Sequence, residues 1–159
     1  MGMTGMEAVL EAVETTLKAK MAAKVTALNA AYADAVVLAD VATYAWESRN
    51  FAAQEYPAII LDPAKSLPEE RYVGAMNERH TLIIFAAVTD SGAKALLKRL
   101  FRYARAVREI LTTEYDLGGV TNSVSVISTT YSPTYADEKK SRYLRVVAVE
   151  IEVIKEEIA

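Results

Sequence analysis

The sequence predicts an α+β fold in which two long helices pack on one mostly antiparallel sheet with a long C-terminal β-hairpin. Two stretches repeat apolar residues every three or four positions, which is the period of an amphipathic helix. The run 81–88 has no polar side, so it predicts a central strand covered on both faces. The C-terminal part of the chain is rich in Val and Ile, which favour strands.

Composition limits the possible classes of protein. The chain has 159 residues, of which 52% are hydrophobic and 25% charged, with a formal net charge of −3. These values are typical of a globular chain, and we expect one domain over residues 1–159. The chain has no cysteine, which excludes disulfides and thiolate zinc sites, and its one histidine, His80, excludes a two-histidine metal site. No apolar run approaches the roughly 20 residues of a membrane helix.

The first helix is predicted by an apolar stripe that runs from Met6 to Leu28. Thr4 and Glu7 have the spacing of a capping box, in which two side chains bond the free amides at a helix start. Glu14 and Lys18 lie one turn apart in the favourable order for an ion pair. The helix therefore carries its own start signal and an internal pair.

The middle of the chain predicts three segments before the central strand. The β-branched and aromatic residues within 36–47 indicate an extended crossing and a short edge strand. Residues 57–61 predict a strand that starts or lies at a sheet edge, because Pro57 has no N–H to donate. The proline- and charge-rich stretch 63–78 predicts a polar loop.

The second half predicts a helix followed by a hairpin. Buried-type residues at helical spacing indicate a helix over 93–114, which Gly118 and Gly119 would end. Strands are expected around 123–128 and over 142–154. The second strand is about 43 Å long at roughly 3.3 Å per residue, while a chain of this size is about 40 Å across. The polar tip at 132–140 is therefore expected to project.

The candidate catalytic residues do not form a catalytic group in the sequence. His80 could act as a general base, but no nucleophile pairs with it in the sequence, so we interpret it as structural. Glu150 and Glu152 share a strand face, yet no third metal ligand lies near them in the chain. Ser91 lies where a helix cap is needed and has no glycine-flanked elbow. The sequence predicts a non-enzyme with no cofactor and no metal.

The second helix is strongly basic, with six Lys or Arg residues against two Glu. Lys94, Lys98, Arg102 and Arg105 follow at steps of four, four and three and predict a basic ridge. Three interpretations stay open: a solvated face, a nucleic-acid surface, and a contact with an acidic face of another copy of the chain. Such an acidic face could be supplied by Glu150, Glu152, Glu156 and Glu157.

The ordered set of segments resembles the tail terminator (tail-completion) proteins of long-tailed bacteriophages and their prophage relatives. The similarity covers nearly the whole chain and follows a pattern with no single diagnostic motif. It is carried by the sequences at 27–32 (ALNAAY), 56–60 (YPAII) and 80–88, the arginine-rich 102–107 (RYARAV), and the hairpin after 131–133 (YSP).

The resemblance implies a non-enzymatic structural protein that forms a homo-oligomeric ring, typically a hexamer. Such a ring caps the last ring of tail-tube protein, fixes tail length and presents a surface to the head–tail connector protein. Its place would be the tail or neck of the virion, after assembly in the host cytoplasm. The sheet and hairpin would line a passage through which DNA slides without specific binding, with the helices outside and no membrane partner.

The candidate interface residues lie on the basic helix, on the last strand and near the hairpin tip. They are Lys98, Arg102, Arg105, Glu150, Glu152, Tyr131, Tyr135, Lys139 and Lys140. One alternative is a nucleic-acid-binding accessory protein that uses the basic helix from Lys94 to Arg108. Another is a small-molecule enzyme, which would need a deep pocket between helix and sheet that holds His80 and a carboxylate.

Overall fold

The computed structural model describes residues 5–46, 55–72, 75–137 and 142–158. Their elements are α1 (Met6–Tyr32), β1 (Thr43–Ala45), β2 (Ala58–Tyr72), β3 (Ala75–Asp90), α2 (Ala93–Thr113), β4 (Ser123–Tyr131), β5 (Tyr135–Asp137) and β6 (Arg142–Ile158). The sheet order is β1-β2-β3-β6-β4, with β5 also paired to β6. The β1–β2 pair is parallel and the other pairs are antiparallel. The predicted α+β class with two helices is confirmed, on a mixed sheet.

Both helices cover one face of the sheet, which we call the inner face. Side chains alternate along a strand, so every second residue of β2, β3 and β6 points toward the helices. Leu82 and Ile84 of β3 and Ile151 of β6 are fully buried in one cluster with Leu17 of α1 and Leu100 of α2. The outer face carries the intervening residues of the same strands.

The first helix begins without a side-chain cap and ends on a residue in the left-handed conformation. Gly5 occupies the N-cap position and makes no side-chain cap bond, while Thr4 of the predicted capping box lies outside the described residues. The predicted Glu14–Lys18 pair is confirmed, with Nζ 2.9 Å from Oε1. At the other end, Ala33 adopts a left-handed conformation with φ of 47°, which stops the helix.

The predicted loop at 63–78 is wrong. Strands β2 and β3 form a long antiparallel hairpin whose ladder extends from Ala58↔Ala87 to Tyr72↔Ala75, and β6 continues the sheet alongside β3 as far as Ile158. The prolines that suggested a loop lie in β2, beyond the part that β1 covers. A strand at the edge of a sheet tolerates proline, because half of its backbone amides point to the open side and have no hydrogen-bond partner in a neighbouring strand.

Two other strand predictions are confirmed. The extended crossing leads into the short edge strand β1, which pairs with Ala58–Ile60 of β2. The apolar run 81–88 lies within β3, between β2 and β6. Helix α2 lies close to its predicted range, but it ends at Thr113 with Glu114 as its C-cap, so Gly118 and Gly119, which follow with positive φ, do not themselves end it.

The C-terminal hairpin is partly as predicted. β4 pairs with β6 from Ser123↔Ile154 to Tyr131↔Val147, with a bulge at Ile127. The connection contains a further short strand, β5, that pairs with the start of β6. Residues 138–141 of the predicted tip lie outside the described residues, so its projection stays a prediction.

Candidate functional site

The basic side chains of α2 mostly bind partners within the same chain. Arg102 is 4% exposed and forms a two-point ion pair with Asp34, at 2.9 Å from Nη1 to Oδ1 and 2.6 Å from Nη2 to Oδ2. Its guanidinium also lies over the Tyr32 ring, 3.9 Å from the centroid. The predicted ridge is therefore wrong at this position. Arg102 lies on α2 beside the buried apolar residues, and its side chain reaches the segment that contains Asp34, so it points into the protein.

This ion pair holds the crossing segment, which we define as residues 33–42 between α1 and β1. Asp34 Oδ1 accepts the Val36 amide, 3.1 Å away, and Arg102 Nη1 donates to the Val36 carbonyl at 2.9 Å. Asn29 forms two bonds with the Leu38 backbone, of 2.8 and 3.0 Å. The buried Leu38 side chain is thereby held in the core.

The electrostatics of Asp34 follow from its cationic neighbours. The hydrogen bonds from Arg102 hold the pKa of the Asp34 carboxyl far below its usual range, and the Val36 amide acts in the same direction. Lys98 adds a weaker attraction, with Nζ 3.6 Å from Oδ2. The carboxylate thus stays ionised in the folded chain at any ordinary pH.

Two further arginines of α2 also have partners within the chain. Arg99 Nε donates to Asp90 Oδ2 at 2.7 Å, and Arg105 Nε donates to Glu109 Oε1 at 2.7 Å. Lys24 of α1 also reaches Glu109, at 2.5 Å. These bonds tie α2 to its neighbours and reduce the charge that the helix offers to an outside partner.

Exposed aromatic side chains lie on the β4 side of α2. Phe101 is 47% exposed and packs edge-on against Tyr131, with centroids 5.3 Å apart and planes at 84°. Tyr135 in β5 is 51% exposed. The two predicted tip residues Lys139 and Lys140 lie outside the described residues. Phe101 and Tyr131 therefore form an accessible aromatic pair between α2 and β4.

The two glutamates predicted as an acidic face lie on the outer face of β6. Ser128 donates to Glu150 Oε2 at 3.1 Å, and Arg79 Nη1 lies 3.7 Å from Glu152 Oε1. Both carboxylates are half-buried. Since α2 covers the inner face, the acidic pair and the exposed cations of α2 lie on opposite sides of the sheet.

A second group of polar side chains forms where the hairpin brings β2 beside β3. Ser66 Oγ lies 2.7 Å from His80 Nδ1, and His80 Nε2 lies 2.7 Å from Glu78 Oε1. His80 and Glu78 are buried, with 2% and 5% of their surface exposed, while Ser66 is exposed. We call these three residues the Ser66–His80–Glu78 cluster.

Sequence reasoning missed this cluster because it assigned 63–78 to a loop. Glu78 and His80 are two apart on one strand and so share a face, which was available from the sequence. Ser66 becomes the neighbour of His80 only through the register Ser66↔His80. The signal that could have found it is Gly74, a residue type that favours turns, because residues 66 and 80 lie on either side of it at similar separations in the sequence.

A small cleft lies between the crossing segment, the sheet and α2. It has a volume of about 150 Å³ and is lined by Ala39, Tyr56, Pro57, Val88, Thr89, Arg99 and Tyr103. Small-molecule sites usually have volumes of roughly 300–1,000 Å³, and His80 is not part of this lining. The cleft therefore lacks the features required by the small-molecule enzyme alternative.

Similarity to known proteins, metal-binding clusters and membrane-spanning helices are the remaining features of the chain. No protein-family model matches the chain, and no curated protein matches it either. Within the described ranges, no cluster of three or more His, Asp or Glu side chains could hold a metal ion. In the same ranges, no helix is long and apolar enough to cross a membrane.

Proposed function

We propose that the chain is a structural subunit of a bacteriophage tail or neck, where it forms a ring that caps the tail tube, fixes tail length and joins the tail to the head connector. The observation that carries this proposal is the pair of unlike open edges of the sheet. β4 forms one edge, and β2 beyond Ile60 forms the other among the described strands.

Unlike edges favour joining between copies in a head-to-tail manner. A strand edge presents unpaired N–H and C=O groups that can pair with another strand. Joining β4 of one copy to β2 of the next uses two different surfaces, so each added copy leaves an edge open until the ring closes. The bulge of β4 places Ile127, 51% exposed, at this edge. Its side chain would become buried in such a contact.

Charge and aromatic surfaces add support to the ring. Lys94 is exposed and Lys98 and Arg105 are partly accessible on the helix side, while Glu150 and Glu152 lie on the other side of the sheet. Opposite charge on opposite sides suits a contact between unlike surfaces. Arg102 does not belong to this contact surface, because it would first have to break its ion pair with Asp34.

Assembly of the purified chain tests the ring. We expect sedimentation velocity to detect one discrete oligomer that increases with concentration, and negative-stain electron microscopy to show rings. Ile127→Lys should remain monomeric, because a charge at an edge strand opposes pairing. Thr113→Lys adds the same charge at an exposed position at the end of α2 and should assemble normally. A wild-type chain that stays monomeric at every concentration, or an Ile127→Lys variant that assembles like it, contradicts the edge-joined ring.

Capping requires a separate experiment with tail tubes from the phage that encodes the chain. Rings are expected at one end of each tube, and adding the chain during tube polymerisation should shorten the length distribution. Tubes that polymerise to the same lengths with and without the chain contradict the terminator role.

A nucleic-acid-binding accessory protein is the second candidate. One observation favours it: the exposed Phe101–Tyr131 pair lies beside a basic helix, and aromatic and basic groups together bind single strands. The internal ion pairs of Arg99, Arg102 and Arg105 count against it. Fluorescence anisotropy with DNA at rising salt separates the candidates, since binding with a steep salt slope that is lost in Phe101→Ala would favour this role.

A further inference from the structure

We propose that Ser66 is a reactive serine, activated by His80, that accepts acyl groups from small esters. The proposal goes beyond the ring and does not depend on it. It rests on two 2.7 Å contacts, from Ser66 Oγ to His80 Nδ1 and from His80 Nε2 to Glu78 Oε1. A nucleophile, a base and a carboxylate that orients the base are linked in that order, which is the arrangement that serine nucleophiles need.

The carboxylate determines which nitrogen of His80 carries the proton. An ionised carboxylate accepts hydrogen bonds and has no proton to donate, so Nε2 carries the hydrogen that Glu78 accepts. In neutral His80, Nδ1 is then an acceptor and receives the Ser66 hydroxyl hydrogen. The base is therefore held in the tautomer that removes a proton from Ser66.

The second oxygen of Glu78 strengthens this arrangement. Glu78 Oε2 is buried and has no hydrogen-bond partner among the described residues. Leaving an oxygen of a buried carboxylate without a hydrogen-bond donor is costly, and a positive charge beside the carboxylate offsets part of that cost. The positive charge that forms on His80 when it takes the proton is next to this carboxylate, which stabilises it.

The hydroxyl is accessible, whereas its partners are not. Ser66 is exposed, while His80 and Glu78 are buried. β1 pairs only with Ala58–Ile60 of β2, so no described strand covers the outer edge of β2 at Ser66. Alternate residues of such a strand direct their amides toward the open side. An amide within one residue of Ser66 can therefore donate to the oxygen of an attacked carbonyl.

The chemistry is an ordinary acyl transfer. Ser66 Oγ forms a bond with the carbonyl carbon of the ester while its proton passes to His80 Nδ1. The ester C–O bond then breaks, and the alcohol leaves with that proton. Water next gives a proton to Nδ1 and attacks the acyl carbon, the bond to Oγ breaks, and the proton returns to Ser66. One ester and one water give one acid and one alcohol.

A single introduced thiol gives a direct test, because the chain has no cysteine. Ser66→Cys places a thiol beside His80, and Ser91→Cys places one at an exposed position with no histidine nearby. We expect iodoacetamide to alkylate the first at neutral pH about tenfold faster or more than the second, because a neighbouring base favours the thiolate. Adding His80→Gln to Ser66→Cys should remove this advantage. Equal rates in the two single variants overturn the proposal.

Glu78 is assigned as a positioning residue, and its test is a pH profile. Glu78→Gln in the Ser66→Cys background should move the pH dependence of alkylation toward higher pH, because the imidazolium loses its carboxylate. Circular dichroism of each variant establishes that it is folded. A folded Glu78→Gln variant with an unchanged pH profile contradicts this role.

The native hydroxyl is tested with a fluorophosphonate probe and with p-nitrophenyl acetate. We expect one adduct, mapped to Ser66 by peptide mass spectrometry and absent in Ser66→Ala, which changes an exposed residue and should fold normally. Ser91→Ala is the matched control. A general base contributes roughly 10²–10⁴-fold, so His80→Gln should reduce ester hydrolysis by about 100-fold or more. Hydrolysis that persists in Ser66→Ala, or absence of any adduct, overturns the proposal and leaves the ring unaffected.

Discussion

At the scale of single residues, one arginine of the predicted basic ridge turns inward, and two other cations of the ridge stay accessible while pairing with acidic side chains of the same chain. The spacing of Lys94, Lys98, Arg102 and Arg105 predicts one ridge, and the helical period is correct. Arg102 nevertheless lies at the side of that ridge next to the crossing segment, where Asp34 and the Tyr32 ring take up its guanidinium. Neither partner could be assigned from the sequence, because Asp34 lies 68 residues away in the chain.

Replacing Arg102 should destabilise the fold more than replacing its neighbour on the helix. Arg102→Gln removes hydrogen bonds between charged groups at a site that is 4% exposed, and we expect a loss of about 1.5–3 kcal/mol in the free energy of unfolding. Arg105→Gln removes an exposed pair with Glu109, which water screens, and should have a much smaller effect on stability. Urea unfolding monitored by circular dichroism measures both. Equal losses would mean that burial of the guanidinium contributes nothing.

The Asp34 carboxyl should make stability sensitive to acid. Its pKa is lowered in the folded chain and ordinary, about 3.9, in the unfolded chain. A group of this kind stabilises the fold fully above its unfolded pKa, and the contribution is lost as the pH falls through the folded pKa. The stability difference between wild type and Asp34→Asn should therefore shrink as the pH is lowered from 7 to below about 4.

Urea midpoints at a series of pH values measure this difference. In the Arg102→Gln background, Asp34→Asn should have little effect at any pH, because the main partner of the carboxylate is gone. A wild-type advantage that stays constant from neutral to acid pH would contradict the assignment.

At the scale of elements, the first helix ends on a residue poorly suited to its conformation. Ala33 has φ of 47° and ψ of 40°, with its amide bonded to the Asn29 carbonyl at 3.1 Å. A side chain at positive φ is strained, whereas glycine adopts this conformation freely.

Ala33→Gly should therefore stabilise the protein by about 0.5–1 kcal/mol. Ala23→Gly, at an exposed position in the middle of α1, should instead destabilise it by about 1 kcal/mol. Thermal or urea unfolding gives the sign of each change. A destabilising Ala33→Gly would contradict the left-handed end of the helix.

Elements differ in how well they could be predicted. The two helices and residues 81–88 of β3 each carry their pattern along one continuous stretch, so helical periodicity finds the helices and the apolar run finds that part of β3. Residues 63–72 do not, because a strand at a sheet edge can contain prolines and charged residues that resemble a loop. Its pairing with β3 distinguishes the two, and the residues 63–72 themselves carry no alternating apolar pattern that would indicate it.

At the scale of the whole molecule, the distribution of charge bears on assembly. Paired side chains neutralise much of α2, which leaves a few accessible cations on the helix side and two half-buried carboxylates on the outer face. If contacts between these surfaces contribute to the ring, they act across an interface that water and salt reach.

Assembly should therefore weaken as salt increases. The Debye length falls from about 10 Å at 0.1 M to about 3 Å at 1 M ionic strength, so exposed charges attract less. Sedimentation velocity at both salt concentrations should show a smaller oligomer fraction at the higher one, and Lys98→Glu should assemble less than wild type at the lower one. An oligomer fraction that does not change with salt or with Lys98→Glu would leave strand pairing as the sole contact.

The sequence by itself determined the α+β class, the two helices, the central strand and the basic character of α2, because each depends on residues close together in the chain. The tertiary structure decided which cations stay at the surface, that residues 63–72 form an edge strand, and that Ser66 lies against His80. These features depend on contacts between separate segments, either across a hairpin or from helix to crossing segment, and the pattern within one segment contains no information on the register of such contacts.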